Sequence, residues 1–156
     1  MSLDINCLVD KKIEFFSIVC DMLNFVFEDN TRLNIYSFSS FWRLTNKSGI
    51  IMTSNDFYVR SNDYWGMNYV PLSDDLLDEI ESNSESDDEY YRDLVYEKLS
   101  ETNEEREEYM SGLFEGTTVK KIDKGSLGDI RIYLSNGLLF EVYSAPYKYK
   151  EVYAVN

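Results

Sequence analysis

Carboxylates are the side chains of this sequence that could most readily do chemistry. The chain has 29 Asp and Glu against 15 Lys and Arg, a formal net charge of −14 at pH 7. Carboxylate pairs carry out general acid–base catalysis, and carboxylate clusters bind divalent cations. The stretch SESDDEYY, residues 84–91, has the composition of a calcium loop but lacks its glycine and its D-x-D-x-D-G pattern. We interpret Glu141, Glu151 and Asp56 as structural or surface residues.

Nucleophilic and metal chemistry are restricted by the absence of histidine. His-based triads, His metal sites and His pH switches are all excluded. Cys7 and Cys20 lack the usual base that would activate a thiol. Cys20 lies in an apolar run, so we expect it to be a small buried side chain. Two cysteines make no disulfide framework, which predicts reduced thiols and a cytoplasmic protein. The sequence thus predicts no enzyme activity, no cofactor and no metal site.

Most of the negative charge lies in one segment. Residues 72–109 contain 16 Asp or Glu and 3 Lys or Arg, a net of −13, so the other residues carry a net of −1. This charge disfavours binding to nucleic acid, which needs a basic surface, and binding to anionic membranes. It favours a basic protein as the partner. We call residues 72–109 the acidic segment.

The acidic segment also has the pattern of helices. Leu76, Leu77 and Ile80 have helical spacing, and the acidic residues before them suit a helix N-terminus. Residues 86–89, Ser-Asp-Asp-Glu, fit a capping box for a second helix, which Gly112 is expected to end. A solvating linker remains the alternative. Linkers rarely carry a capping box and an amphipathic helix, so we interpret the segment as a docking surface.

The partner-binding residues predicted from this interpretation are acidic, with two neighbouring tyrosines. Trp65 and Tyr69 are added as aromatic anchors, because rigid aromatic side chains are enriched at binding hot spots. The alternative for these two is that they cover a sheet edge. The residues predicted within the acidic segment are Asp74, Asp75, Asp78, Glu79, Glu81, Glu85, Asp87, Asp88, Glu89, Tyr90 and Tyr91.

Two stretches flanking this segment have the same hairpin pattern. Residues 20–38 and 128–146 align so that Leu23, at the start of one alternating apolar run, falls on Ile130. Alternation of apolar and polar residues on both sides of a turn is typical of half-buried strands. The turns hold Asp-Asn in the first copy and Asn-Gly in the second, and both pairs tolerate positive φ. The pattern predicts a repeated β-meander.

Shorter patterns extend each copy. Residues 11–16 and 119–122 are expected to be strands before the hairpins, and residues 41–44 and 151–155 strands after them. Residues 48–60 predict a further strand or two, although residues 11–24 also fit a helix. GSLG, residues 125–128, predicts a tight turn between strands. Trp42 is expected in the core.

The predicted architecture is a single α+β domain over residues 1–156, mainly antiparallel β-sheet. The first β unit covers 11–60, the acidic helical insert 72–109 and the second β unit 118–156. We find no run of about 18 apolar residues, which a membrane-spanning helix needs. The N-terminus lacks the pattern of a secretory signal.

Four stretches together resemble small bacterial immunity proteins of polymorphic-toxin and contact-dependent growth-inhibition systems. The similarity covers roughly residues 11–58 and 118–155 and leaves out the acidic segment. The stretches that carry it are DIRIYLSNGLLFEVYS, KEVYAV, FWRL and TSND.

The resemblance implies a small, acidic, cytoplasmic and non-enzymatic protein that binds and neutralises a cognate toxin domain. A basic nuclease is the expected toxin, with its active site or substrate cleft covered by the acidic surface. Such families share no catalytic residues, so none is assigned here. The alternatives are an acidic regulatory or interaction module, a DNA mimic, or a carboxylate-dependent hydrolase.

Overall fold

The computed structural model describes residues 4–19, 22–36, 40–56, 101, 103–144 and 153–156. It confirms an α+β fold that is mostly antiparallel sheet, with one helix between strands among these residues. Helix α1 covers residues 103–114, and short 3-10 turns cover Ile5–Leu8 and Ser54–Asp56. The strands are β1 Ile13–Val19, β2 Met22–Phe27, β3 Arg32–Tyr36, β4 Ser40–Asn46, β5 Gly49–Thr53, β6 Val119–Lys124, β7 Ile130–Leu134, β8 Leu139–Ser144 and β9 Tyr153–Val155.

Contacts divide the chain into two compact units. One joins Met1–Asp56 to Glu107–Asn156 and contains every strand named above; the other is Phe57–Arg106. The larger unit holds a four-stranded sheet, ordered β1-β2-β3-β9, and a five-stranded sheet, ordered β5-β4-β8-β7-β6. All paired neighbours are antiparallel. The prediction of a single domain stays a prediction.

The alternating runs form strands because one face of each is buried. β2 alternates half-buried and buried residues, and its buried residues are Leu23, Phe25 and Phe27. β7 alternates in the same way around Ile132. β1 and β2 occupy most of residues 11–24, so the strand prediction is confirmed there and the helical alternative is wrong.

The predicted repeat is confirmed down to its irregularities. β1 pairs with β2 through a bulge between Ile13 and Phe15, and β6 pairs with β7 through a bulge between Val119 and Lys121. A bulge in each copy bends the strand and increases its twist at the same point. The two hairpin turns also match, because their third residues both have positive φ.

These two turn residues are Asn30, with φ 65°, and Gly137, with φ 84°. Each donates its N–H to the residue that ends the preceding strand, Phe27 at 2.8 Å and Leu134 at 3.1 Å. Asn and Gly are the residues that adopt this left-handed conformation at lowest cost. The two turns therefore have the same geometry, although the residue with positive φ is Asn in one and Gly in the other.

The fourth strand of each copy is exchanged. β4 follows the first meander, yet it pairs with β8 of the second, Leu44 lying opposite Phe140. β9 follows the second meander and pairs with β3 of the first, Val155 lying opposite Leu33. Each sheet is therefore completed by a strand from the other copy, so neither copy forms its own sheet alone.

A reciprocal set of backbone hydrogen bonds joins the two copies near Lys12 and Thr118, which form an isolated bridge. Ile13 N–H donates to the Thr117 carbonyl at 2.8 Å, and Val119 N–H donates to the Lys11 carbonyl at 3.0 Å. Because Ile13 and Val119 occupy equivalent positions, the copies are related by an approximate two-fold axis through this bridge.

Aromatic rings fill the space between the sheets. Phe114, at the end of α1, lies 5.0 Å from Phe16, 4.9 Å from Phe25 and 5.6 Å from Phe140, measured between ring centroids. The predicted core residue Trp42 is 1% exposed and lies 5.8 Å from Phe140. Rings at these separations and tilts pack favourably beyond their area burial. The helix end is thus fixed by the core of the β unit.

The prediction that Gly112 ends the helix is wrong. Residues 103–114 are helical, and the chain turns at Gly116, whose φ is 82°. Burial of Phe114 requires one more half-turn of helix, and this outweighs the roughly 1 kcal/mol cost of an internal glycine. None of the helices in the described ranges is long and apolar enough to cross a membrane.

Candidate functional site

The partner-binding residues predicted from the sequence lie outside the described residues. This applies to both aromatic anchors and to the acidic and tyrosine positions between residues 74 and 91. Cys20 and Glu151 also lie outside them. The residues in question are Trp65, Tyr69, Asp74, Asp75, Asp78, Glu79, Glu81, Glu85, Asp87, Asp88, Glu89, Tyr90 and Tyr91.

The C-terminal end of the acidic segment is described, and it is helical. Glu104, Glu105 and Glu108 have exposed side chains, and Tyr109 is 53% exposed. Spacings of three and four residues place side chains on one helix face. The described end of the segment therefore presents carboxylates and one tyrosine to solvent.

Glu107 has a different role from these exposed glutamates. Its Oε1 accepts the backbone N–H of Ile18 in β1 at 2.8 Å. The Glu115 Oε1 accepts the N–H of Phe16 at 3.2 Å, and the Ser111 hydroxyl donates to the Phe16 carbonyl at 3.3 Å. β1 is the outer strand of its sheet. These side chains satisfy edge groups that would otherwise be open to another strand.

A second cluster lies on the outer face of the five-stranded sheet. Its members stand opposite one another across all five strands, in the order Asp123, Arg131, Glu141, Arg43 and Thr53. Four of these strands each contribute one charged residue, and the sign of the charge alternates from one strand to the next. We call these five residues the charged row.

Glu141 is the centre of the charged row, with a side chain only 5% exposed. Its Oε2 accepts from Arg43 Nε at 2.5 Å, and its Oε1 accepts from Arg131 Nε at 3.2 Å and from the Tyr143 hydroxyl at 2.9 Å. Burial raises the pKa of Glu141, but the hydrogen bonds from Arg43, Tyr143 and Arg131 and the charge of Arg43 outweigh burial and lower it. The carboxylate therefore stays ionised at neutral pH.

Two aromatic rings lie beside this network. The Arg43 guanidinium carbon lies 5.4 Å from the centroid of the Tyr143 ring, and Phe41 lies 6.3 Å from the same ring. Burial, then the hydrogen bond to Glu141, raise the pKa of the Tyr143 hydroxyl. Tyr143 is therefore a neutral hydrogen-bond donor whose ring also contacts an arginine.

The remaining candidates have structural roles. Asp56 Oδ2 accepts the N–H of Thr53 at 2.7 Å and closes the turn after β5, as predicted. The Gly125 N–H donates to the Asp129 carbonyl at 2.7 Å in the predicted turn before β7. Cys7 is free and exposed in the first 3-10 turn. Within the described ranges, no three His, Cys, Asp or Glu residues group as metal ligands.

Sequence reasoning classed Glu141 as structural or surface and missed the network around it. A signal was present, because the Asn136-Gly137 turn places Arg131 opposite Glu141 on the two hairpin strands. Arg43 gave no such signal, since its strand reaches β8 by the exchange between copies. Burial of Glu141 confirms a structural role without deciding what the arginines beside it do.

Comparison with known proteins identifies no relative: no family model, no curated protein and no solved structure matches this chain.

Proposed function

We propose that this chain is an immunity protein that binds a cognate bacterial toxin domain and neutralises it with its acidic segment. The toxin domain is basic, and a nuclease fits best, because a cleft that holds phosphates needs positive charge. The chain transforms no substrate; it covers the active site or the substrate cleft of the toxin.

One observation supports this proposal above the others, the concentration of charge. Residues 72–109 carry −13 of the total −14, and at their described end Glu104, Glu105 and Glu108 are exposed. Exposed carboxylates near one another repel, which costs folding stability. A basic partner relieves this repulsion. The charge therefore favours association, although it does not stabilise the fold.

Inhibition of a lethal enzyme requires fast and tight binding. A nanomolar Kd corresponds to about 12 kcal/mol, which an interface of about 800 Å² per partner can supply. Complementary charge raises the association rate, and salt removes this advantage, because the Debye length falls from about 30 Å at 0.01 M to about 3 Å at 1 M.

The test is protection of cells followed by binding kinetics. The toxin domain encoded beside the gene of this chain is expressed in bacteria with and without the chain, and growth is measured. With purified proteins, the triple variant Glu104→Gln, Glu105→Gln and Glu108→Gln should associate at least about tenfold more slowly at low salt. The difference should disappear at 1 M salt.

A matched control removes the same number of charges elsewhere. Asp10, Glu14 and Glu28 are exposed on the β unit, and Asp10→Asn, Glu14→Gln and Glu28→Gln in one chain should leave the association rate within about twofold. Glu107 stays unchanged in both variants because it holds Ile18. Equal slowing by the two triple variants, or growth arrest despite the chain, would overturn the proposal.

A further inference from the structure

The two copies of the repeat differ in the charged row. In the first copy, Asn34 on β3 occupies the position equivalent to Glu141. Asn24 and Ala154 lie opposite Asn34 on the neighbouring strands, as Arg131 and Arg43 lie opposite Glu141. The same strands, bulge and turn therefore form with amides and a methyl group there. The sheet of the first copy forms without charges at these positions, so the charges of Arg131, Glu141 and Arg43 need an explanation beyond the fold.

Glu141 holds both arginines in a defined orientation. Each arginine donates to it through Nε. A guanidinium has five N–H donors in a planar fork, so the donors on the Nη atoms can bind a second carboxylate while Nε donates to the first. Arg43 and Arg131 keep side-chain exposures of 38% and 53%. Because Glu141 already orders these side chains, an acceptor that binds them loses less rotamer entropy.

Apolar surface lies beside these donors. Phe41 is 38% exposed, and its ring is near that of Tyr143, which the Arg43 guanidinium also contacts. Arginine and tyrosine are enriched at the centres of protein interfaces, where a few side chains carry most of the binding energy. We call the surface formed by Phe41, Arg43, Arg131, Glu141 and Tyr143 the arginine face.

We propose that the arginine face binds an acidic segment of another protein, with a carboxylate of that segment bridging the Nη groups of Arg43 and Arg131. Charge complementarity selects this occupant. At the face itself the exposed charges are the two guanidinium groups, because Glu141 is only 5% exposed. A short acidic segment contacts this face alone, whereas a nucleic acid, which extends beyond the face, also meets the net charge of −14 of the chain. The acidic segment is proposed to bind a basic partner, whereas the arginine face is proposed to bind an acidic one. This proposal therefore does not depend on the immunity function.

The probe is a fluorescein-labelled hexaglutamate peptide, and its binding to the full chain is measured by fluorescence anisotropy at about 0.15 M salt, where a Debye length of about 8 Å screens charges away from the face. The variant takes its residues from the first copy: Arg43→Ala, Arg131→Asn and Glu141→Asn together. We expect at least about a tenfold loss of affinity, as removal of charge-assisted hydrogen bonds implies, with a melting temperature within a few degrees of the wild type.

A control variant has the same change of net charge at other exposed sites: Arg32→Gln, Lys120→Gln and Glu14→Gln. It should keep the affinity within about twofold. A loss equal to that of the first variant would show that only overall charge matters and would overturn the proposal. Failure of the wild type to bind the peptide would do the same.

Glu141→Gln separates orientation from charge. This change makes the chain less negative, so attraction alone predicts tighter binding of hexaglutamate, whereas loss of oriented arginines predicts weaker binding. Tighter binding overturns the role of Glu141. An oligothymidylate that binds as well as the peptide, or self-association that the first-copy substitutions abolish, would assign the face to nucleic acid or to a second copy and overturn the proposal.

Discussion

The two copies of the repeat share their backbone and differ on their surfaces. Bulge, positive-φ turn residue and buried alternation recur in both, from Leu23 and Phe25 in one to Ile130 and Ile132 in the other. The outer row is amide in the first copy and ionic in the second. The apolar pattern and the turns therefore determine this fold, while the outward positions are free to specialise.

The copies also protect their sheet edges differently. The edge of β1 is covered by Glu107, Ser111 and Glu115 from α1 and the turn after it. Among the described residues, the counterpart of that helix at the equivalent strand β6 is the short turn Ile5–Leu8. The sequence of β6, VKKIDK, is rich in lysine. Lysines on an edge strand oppose pairing with other chains, as a covering helix does.

The largest loss of stability is expected from mutation of Phe114, at the end of helix α1, which takes the place that the 3-10 turn has in the other copy. Phe114 corresponds to Leu8, since their carbonyls accept equivalent N–H groups, those of Thr117 and Lys11, both at 3.1 Å. Phe114→Ala should lower the free energy of unfolding by about 3–5 kcal/mol, because three ring contacts are lost. At roughly 2–4 °C per kcal/mol, the melting temperature should fall by about 6–20 °C. The control Phe41→Ala removes a partly exposed ring and should cost less than half as much; equal losses would contradict the central role of Phe114.

A smaller effect is expected at the covered edge. Glu107→Ala leaves the N–H of Ile18 without its acceptor and should cost about 1–3 kcal/mol in urea unfolding. The neighbouring Glu108→Ala changes an exposed glutamate of the same helix and should stay within about 0.5 kcal/mol. Faster aggregation of the first variant would show that the edge had opened. Equal stability of both variants would mean that the helix does not protect β1.

The smallest expected effect is a pKa shift in one of the two hairpin turns. Hydrogen bonds from the Lys11 ammonium and from Thr31 lower the pKa of Asp29 to about 2, whereas the equivalent Asn136 has no charge. A depressed carboxyl pKa adds stability above the ordinary value of 3.8, and this is lost as pH falls through about 2. NMR titration should show this pKa in the wild type and a return toward 3.8 in Lys11→Gln. A wild-type value near 3.8 would refute the contact.

The meanders could be predicted from the sequence because each strand has one buried face, and its apolar side chains alternate with polar ones to lie on that face. Leu33, Ile35, Phe140 and Val142 are all buried as expected. The sequence did not predict the exchange of β4 and β9. These strands present the same alternation, so either meander could accept either strand. The choice between the two pairings depends on how the two copies pack together, which the alternation does not encode.

The site was less predictable than the fold. Arg131 and Glu141 face each other across a turn that was correctly predicted, so their contact could have been inferred from the sequence, although it was not. Burial of Glu141 did not follow, because it depends on Arg43, which comes from the other copy. The helix was predicted to end at Gly112, because local propensity takes no account of the cavity that Phe114 fills.

The exchange of the last strands has a consequence for protein synthesis. β3 emerges from the ribosome long before β9, its partner in the sheet, because Leu33 and Val155 are separated by 155 − 33 = 122 positions. At about 5–20 residues per second, translation takes about 6–24 seconds to cover that distance. For this interval the nascent chain displays an incomplete sheet whose hydrogen-bonding groups have only solvent or chaperones as partners.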